Sequence, residues 1–68
     1  MLMKYIGRIP VEDASGCRFE LHEFRAWRLL SPTTVFRLDT GEAVVRVDAN
    51  TFVIISTGEG LVRVIEVA

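Results

Sequence analysis

The chain has few of the residues that cross-link small domains. Its 68 residues include one cysteine, Cys17, and one histidine, His22. A single cysteine excludes a disulfide within the chain, and one cysteine with one histidine cannot supply a usual structural zinc site. A domain this short buries only about 60% of the surface that its unfolded chain exposes. Since disulfides and metals are excluded, we expect a partner subunit to supply the missing stability, and we expect no cofactor.

An excess of charge of one sign is also missing. Eight basic and nine acidic residues leave a net charge of −1, so the chain has no general attraction to nucleic acids or anionic membranes. No apolar run reaches the roughly 18–20 residues that cross a bilayer. The first residues lack the apolar core and cleavage site of a signal peptide. These absences predict a cytoplasmic protein that does not associate with membranes.

The most informative feature that is present is a repeat. Residues 40–47 (TGEAVVRV) return as residues 57–64 (TGEGLVRV), with six of eight positions identical at an offset of 17. Each copy, with the apolar residues before it, is typical of a strand, a tight turn at Thr-Gly and a second strand. Two such hairpins predict a four-stranded antiparallel meander in the C-terminal half. We expect Gly41 and Gly58 to adopt positive φ, where glycine is not strained.

The side of this meander that faces the core depends on the lengths of its turns. Even loops at both Thr-Gly turns would group these apolar residues on one face: Phe36, Val45, Val53 and Val62. A three-residue loop with a glycine bulge is common in hairpins, but it would place Glu42, Val44 and Arg46 beside Phe36 and Leu38. Even loops and a core built on the first set are therefore predicted.

The opposite face carries six apolar residues and three arginines: Val35, Arg37, Val44, Arg46, Phe52, Ile54, Leu61, Arg63 and Ile65. A soluble sheet normally turns a polar face to water, and an apolar patch of this size is unusual on a monomer. We expect this face to be covered by the N-terminal strands or by another copy of the chain. Residues 61–65 are a candidate edge strand, which also invites self-association.

The N-terminal half has a weaker pattern. Residues 4–9 alternate well enough for a first strand, which Pro10 would end because proline cannot donate to a ladder. Residues 18–22 alternate as in a half-buried strand, and Phe24 breaks the alternation. A bulged strand, a turn or a short helix over residues 24–30 would each explain the break. A helix over residues 18–30 is disfavoured because its apolar residues scatter around the helical wheel. A short strand over residues 27–30, ended by Ser31-Pro32, is the preferred interpretation.

No set of residues predicts catalysis. Nucleophilic catalysis needs a thiol or hydroxyl beside a base. Cys17 and His22 are five residues apart on a predicted strand, and odd spacing places them on opposite faces. We interpret His22 as a surface histidine with its hydrogen bonds satisfied and Cys17 as a buried thiol. The protein is therefore not expected to be an enzyme.

One constellation is a candidate binding face. Arg37, Arg46 and Arg63 lie with Phe52 on the second face of the predicted meander. Small β-barrels hold single-stranded nucleic acids with arginines and aromatic rings that stack on the bases. Arginines that lie flat over apolar neighbours and pair with carboxylates would give the same pattern.

These observations predict one all-β domain over residues 1–68, with about five or six short antiparallel strands in a small barrel or sandwich. Barrels of the SH3-like sort have this length and strand count, but none of their motifs matches the chain. The expected function is non-enzymatic, as a module for protein interaction or self-association. Its partner would be another copy of the chain or another protein. Nucleic-acid binding through the arginine-bearing face is the alternative.

Overall fold

The computed structural model describes residues 2–28 and 31–65, which form six antiparallel strands and no helix. The strands are β1 Leu2–Glu12, β2 Arg18–Arg28, β3 Ser31–Leu38, β4 Ala43–Arg46, β5 Thr51–Ile54 and β6 Gly60–Arg63. Each strand pairs with the next, and β6 returns to β1, so the sheet closes into a small barrel. The all-β class, the antiparallel barrel and the two hairpins of the repeat are confirmed. Within these residues, no helix is long and apolar enough to cross a membrane.

The core lies inside the barrel and takes residues from every strand. Its buried members are Val11, Leu21, Phe36, Leu38, Val44, Phe52, Ile54 and Leu61. The rings of Phe36 and Phe52 pack edge to face, with centroids 5.3 Å apart, a geometry that stabilises an aromatic pair by about 0.5–1.5 kcal/mol beyond its buried area. The two rings therefore join the two hairpins across the barrel.

The loop between β3 and β4 has an odd length, so the prediction of an even loop is wrong here. Leu38 N–H donates to the Glu42 carbonyl (3.0 Å) and Gly41 N–H donates to the Leu38 carbonyl (2.8 Å). The loop is the three residues 39–41, with Gly41 at φ 91°. Phe36 consequently pairs with Val44. The charged residues that argued against this loop cause no conflict, because β4 is only four residues long and both Glu42 and Arg46 reach solvent at its ends.

The loop between β5 and β6 is even, as predicted, but the register differs by two residues. Ile54 N–H donates to the Glu59 carbonyl (2.9 Å), which leaves residues 55–58 as the loop. Gly58 lies at φ 74°, so the positive φ of both repeat glycines is confirmed. Val53 pairs with Gly60 rather than with Val62. A shift of two residues keeps the same side chains on each face.

One residue in the first loop therefore exchanges the two faces of β4, β5 and β6. Phe36 is buried as predicted, but Val45 is 45% exposed, Val62 is 52% exposed and Val53 is half-buried. Phe52, expected on the second face, is in the core. The N-terminal strands cover this second face, which was one of the two predicted solutions.

Strand β1 passes through Pro10, so the prediction that proline ends it is wrong. Pro10 pairs with Glu20 of β2, and its carbonyl accepts a hydrogen bond from Val64 N–H (2.9 Å). A residue in a strand directs its nitrogen and its carbonyl to the same neighbour. The N–H that Pro10 lacks would therefore face the β6 side, where its loss leaves the ladder with β2 intact.

The break in alternation at Phe24 does not come from a bulge in β2, because Phe24 lies on the outer side of the sheet with His22 and its ring packs on Tyr5. β2 is continuous to Arg28, and the irregularity lies in β1 between Tyr5 and Gly7, where Ile6 is the extra residue. The turn and the short helix are thus wrong for residues 24–28, whereas residues 29–30 lie outside the described residues. Ser31-Pro32 begins β3 rather than ending a strand.

Strand β6 is not an edge, contrary to the prediction for residues 61–65. It pairs with β5 on one side, and on the other it meets β1 at Val11–Arg63 and Glu12–Val62. The free edges among the described residues lie elsewhere, where the long strands β1 and β3 extend beyond the short ones.

Candidate functional site

The outer surface of β4, β5 and β6 carries no charged residue. The pairs Phe36–Val44 and Phe52–Leu61 are buried, so the alternate positions point outward. Bonds from Val47 N–H to the Thr51 carbonyl and from Ile55 N–H to the Ala43 carbonyl continue this alternation past the strand ends. We call the resulting set the aliphatic face: Ala43, Val45, Val47, Thr51, Val53, Ile55, Gly60, Val62 and Val64.

The aliphatic face is open to solvent in the single chain. Val45, Val47, Ile55 and Val62 are 45%, 61%, 60% and 52% exposed. Antiparallel sheets that face water normally carry polar side chains there, and a contiguous exposed apolar patch marks an interaction site. These residues were predicted to share the core face with Phe36 and Leu38; they do share one face, but it is the outer one, and Phe36 and Leu38 lie inside the barrel.

The four residues of the predicted binding face do not share one face. Phe52 is 1% exposed and packs in the core. Arg37 points outward, whereas Arg46 and Arg63 follow the inward positions of their strands and emerge at the ends of the barrel. The geometric premise of that face is therefore wrong, because the short loop of β3–β4 inverts the strands that follow it.

Two of these arginines bind the backbone of nearby turns. Arg37 Nη1 donates to the Gly41 carbonyl (3.1 Å), and Arg46 Nε donates to the Asp48 carbonyl (3.1 Å). Both side chains remain exposed. Each guanidinium has further N–H donors available for a ligand.

A chain of side-chain hydrogen bonds crosses the outer surface of β1, β2 and the end of β3. Tyr5 Oη lies 3.0 Å from His22 Nδ1, and His22 Nε2 bonds to Asp39 Oδ1. An ionised carboxylate only accepts, so in its neutral form the imidazole would carry its proton on Nε2, and Nδ1 would accept from the tyrosine hydroxyl. The interpretation of His22 as a satisfied surface histidine is confirmed.

This chain of hydrogen bonds could not be predicted from the sequence because its members are far apart. Tyr5, His22 and Asp39 are separated by 17 residues at each step, and only the strand register brings them together. The ring of Tyr5 also packs edge to face on Phe24, with centroids 5.4 Å apart. Sequence reasoning could have found the cluster only after the β1–β2 register was known.

Two carboxylates fix turns at the ends of strands. Asp13 Oδ1 accepts from the hydroxyl of Ser15 (2.7 Å) and from the N–H of Cys17 (2.9 Å); the Ser15 hydroxyl and then the Cys17 N–H lower the pKa of Asp13. Asp48 accepts from Asn50 N–H (2.9 Å), which is the main cause of its lowered pKa. Hydrogen bonds to the ionised form have this effect.

Cys17 is exposed, so the prediction of a buried thiol is wrong. It lies in the turn before β2, where its sulfur is 3.7 Å from the oxygen of the Ser15 hydroxyl, whose single proton is donated to Asp13. Within residues 2–28 and 31–65, no group of three or more potential ligands could hold a metal ion.

Comparisons of the chain with protein-family models, curated proteins and solved structures find no match. Its function is therefore inferred from its own surfaces.

Proposed function

We propose that the chain is a non-enzymatic β-barrel module that self-associates through the aliphatic face. One observation carries the proposal: nine outward positions on three consecutive strands and the residues that directly follow them include no charge. Exposing such a surface to water costs about 25 cal/mol of free energy for each Å² of apolar area. Burial against another apolar surface removes that cost.

A second copy of the chain is the occupant that fits this face. The face offers almost no polar side chains, so a charged partner would lose its hydration without gaining hydrogen bonds. Two copies related by a two-fold axis would place the same aliphatic residues against one another. A standard interface covers about 800 Å² per partner. The chain has 4993 Å² of accessible surface, so it is large enough to form an interface of this size.

The size of the domain supports the same conclusion. A barrel of 68 residues without a disulfide has a small core, and association is the remaining common means of stabilising such a scaffold. We also propose a cytoplasmic location, because an exposed single thiol such as Cys17 is suited to a reducing compartment.

Sedimentation at micromolar concentration tests the proposal. The parent protein should sediment as an oligomer, and its Tm should rise with concentration because association stabilises the folded state. Val45→Glu should give a monomer near 7.7 kDa that keeps the parent's far-ultraviolet circular dichroism. Thr33→Glu is the matched control, since it places the same charge at an exposed β-branched strand position outside the aliphatic face. A monomeric parent whose Tm does not depend on concentration would contradict self-association.

A second candidate function, nucleic-acid binding, is favoured by one observation. Arg8 and Arg37 are the cross-strand neighbours of His22, close to the contacting rings of Tyr5 and Phe24. Arginines beside exposed aromatic rings suit single-stranded nucleic acid. Retention on immobilised single-stranded DNA should then fall steeply with salt. It should weaken in the Arg8→Gln/Arg37→Gln double variant and be unchanged in Val45→Glu.

A further inference from the structure

Strands β3 and β4 separate after a short ladder and leave an open cleft. Their described pairs are Phe36–Val44 and Arg37–Ala43 only. Toward its start, β3 pairs with β2 alone, as far as Ser31. Toward its end, β4 pairs with β5 alone. The cleft between them is lined by residues that include Glu23, Arg25, Thr34, Phe36 and Arg46.

The backbone of Thr34 faces this cleft. Leu38 N–H donates to the Glu42 carbonyl, so Leu38 directs its backbone groups toward β4. Every second residue of an antiparallel strand directs its groups to the same side, which includes Phe36 and Thr34. Phe36 meets Val44, but the register pair that Thr34 would form with Arg46 is missing from the described ladder. The β3 edge is thus a template for one more strand.

The charges around the cleft are unbalanced. Arg25 lies directly opposite Lys4 on β1, and like charges in facing positions destabilise a sheet. Among the described residues, no carboxylate forms an ion pair with either of them. Arg46 uses its Nε for the Asp48 carbonyl, which leaves its terminal nitrogens. Glu23 is the one acidic residue of the lining, which sets two cations, Arg25 and Arg46, against one anion; the Asp48 carboxylate, outside the lining, also interacts with Arg46.

We propose that the cleft binds an extended acidic segment of a partner protein. The segment adds to β3 as a strand, takes the N–H and carbonyl of Thr34 as its first backbone partners, and places a carboxylate between Arg25 and Arg46. Main-chain bonds supply the affinity of strand addition, and side-chain pockets select the sequence. The cleft shares Val45 with the aliphatic face, whereas the proposed backbone contact at Thr34 and the charged groups of the cleft lie outside that face.

A dye-labelled heptapeptide of alternating glutamate and threonine is the probe, measured by fluorescence polarisation. It should bind, whereas the same peptide with lysine in place of glutamate should not. A third peptide, N-methylated at every second residue, should also fail, because it cannot donate to the β3 edge. Arg25→Gln and Arg46→Gln should each weaken binding about threefold to tenfold, as expected for the loss of one hydrogen bond at an exposed site.

Thr34→Pro tests the backbone contact from the protein side. It removes an N–H that faces the cleft and leaves the ladder with β2 intact, so the barrel should keep its circular dichroism and bind the peptide at least about tenfold more weakly. If Thr34→Pro does not fold, the N-methylated peptide tests the same bond on the parent protein. Equal binding of the glutamate and lysine peptides, or of the N-methylated peptide, would overturn the proposal. So would binding of an oligothymidine in place of the glutamate peptide.

Discussion

Val45 and Val53 lie directly opposite each other on neighbouring strands, and neither belongs to the core. The next pair in the same ladder, Val44 with Ile54, is buried inside the barrel. Both pairs are aliphatic, so side-chain hydrophobicity does not distinguish the inner pair from the outer one. The distinction comes from the register at the β3–β4 loop.

The assignment of inner and outer positions predicts an unequal cost of truncation. Phe52→Ala and Phe36→Ala should each lower the free energy of unfolding by about 3–5 kcal/mol, because each leaves a cavity and breaks the edge-to-face contact. Val45→Ala should lower it by less than about 1 kcal/mol. Urea unfolding at low protein concentration, where association contributes least, measures the three values. If Val45→Ala costs as much as Phe52→Ala, the faces are assigned the wrong way round.

The two repeat glycines should be sensitive to any side chain. Gly41 and Gly58 lie at φ 91° and 74°, where an added Cβ strains the backbone by about 1–2 kcal/mol. Gly41→Ala and Gly58→Ala should therefore lower the Tm. Gly60→Ala is the control, because Gly60 does not have a positive φ and has open space around its Cβ position. Three equal melting temperatures would refute this account of the hairpins.

The Asp13 turn should make stability depend on acid pH. Hydrogen bonds from Ser15 and Cys17 hold the folded-state pKa of Asp13 below its ordinary 3.8. The ionised form therefore contributes stability that is fully present above about pH 3.8 and is lost as the pH falls through the folded-state pKa. Asp13→Asn removes this ionisation. The difference in Tm between parent and variant should be constant above about pH 5 and shrink toward pH 2; a difference that does not change with pH contradicts the role of the carboxylate.

The Tyr5–His22–Asp39 chain should fix the tautomer of the imidazole. In the parent protein, ¹⁵N chemical shifts should show His22 protonated on Nε2 when the ring is neutral, because Asp39 accepts there. Asp39→Asn should release this preference. Tyr5→Phe should keep it, since Phe retains the ring contact with Phe24, and should cost about 0.5–1.5 kcal/mol for the lost hydrogen bond. An unchanged tautomer in Asp39→Asn would mean that the carboxylate does not select it.

The sequence was sufficient for the fold class and for the positions of the two Thr-Gly turns, because those depend on local features. The Thr-Gly repeat, the positive φ of Gly41 and Gly58 and the burial of Phe36 all follow from short stretches of chain. The choice of an even loop over a three-residue loop was wrong at the first turn, since Thr-Gly suits both lengths. That choice decided which face became the core.

The N-terminal strands show the same limit at longer range. The alternation fails at Phe24, which lies on the outer side of the sheet, and the extra residue is Ile6, on the strand opposite. A pattern in one strand cannot locate a bulge in its partner. The prediction of the candidate binding face failed for a related reason, because the side occupied by Phe52 depends on the loop before β4. The His22 cluster was not predicted because no local motif connects its residues.

The three-residue loop also makes the length of this segment more critical than its chemistry. One residue inserted between Leu38 and Ala43 would move each side chain of residues 43–64 to the opposite face of the sheet. The valines now in water would face Phe36 and Leu38, and Phe52 and Leu61 would face outward. Most surface loops tolerate insertions, but the length of this loop determines which side chains of β4, β5 and β6 face the core. A polar substitution at Thr40 would be tolerated, whereas the insertion or deletion of one residue would exchange the inner and outer faces of β4, β5 and β6.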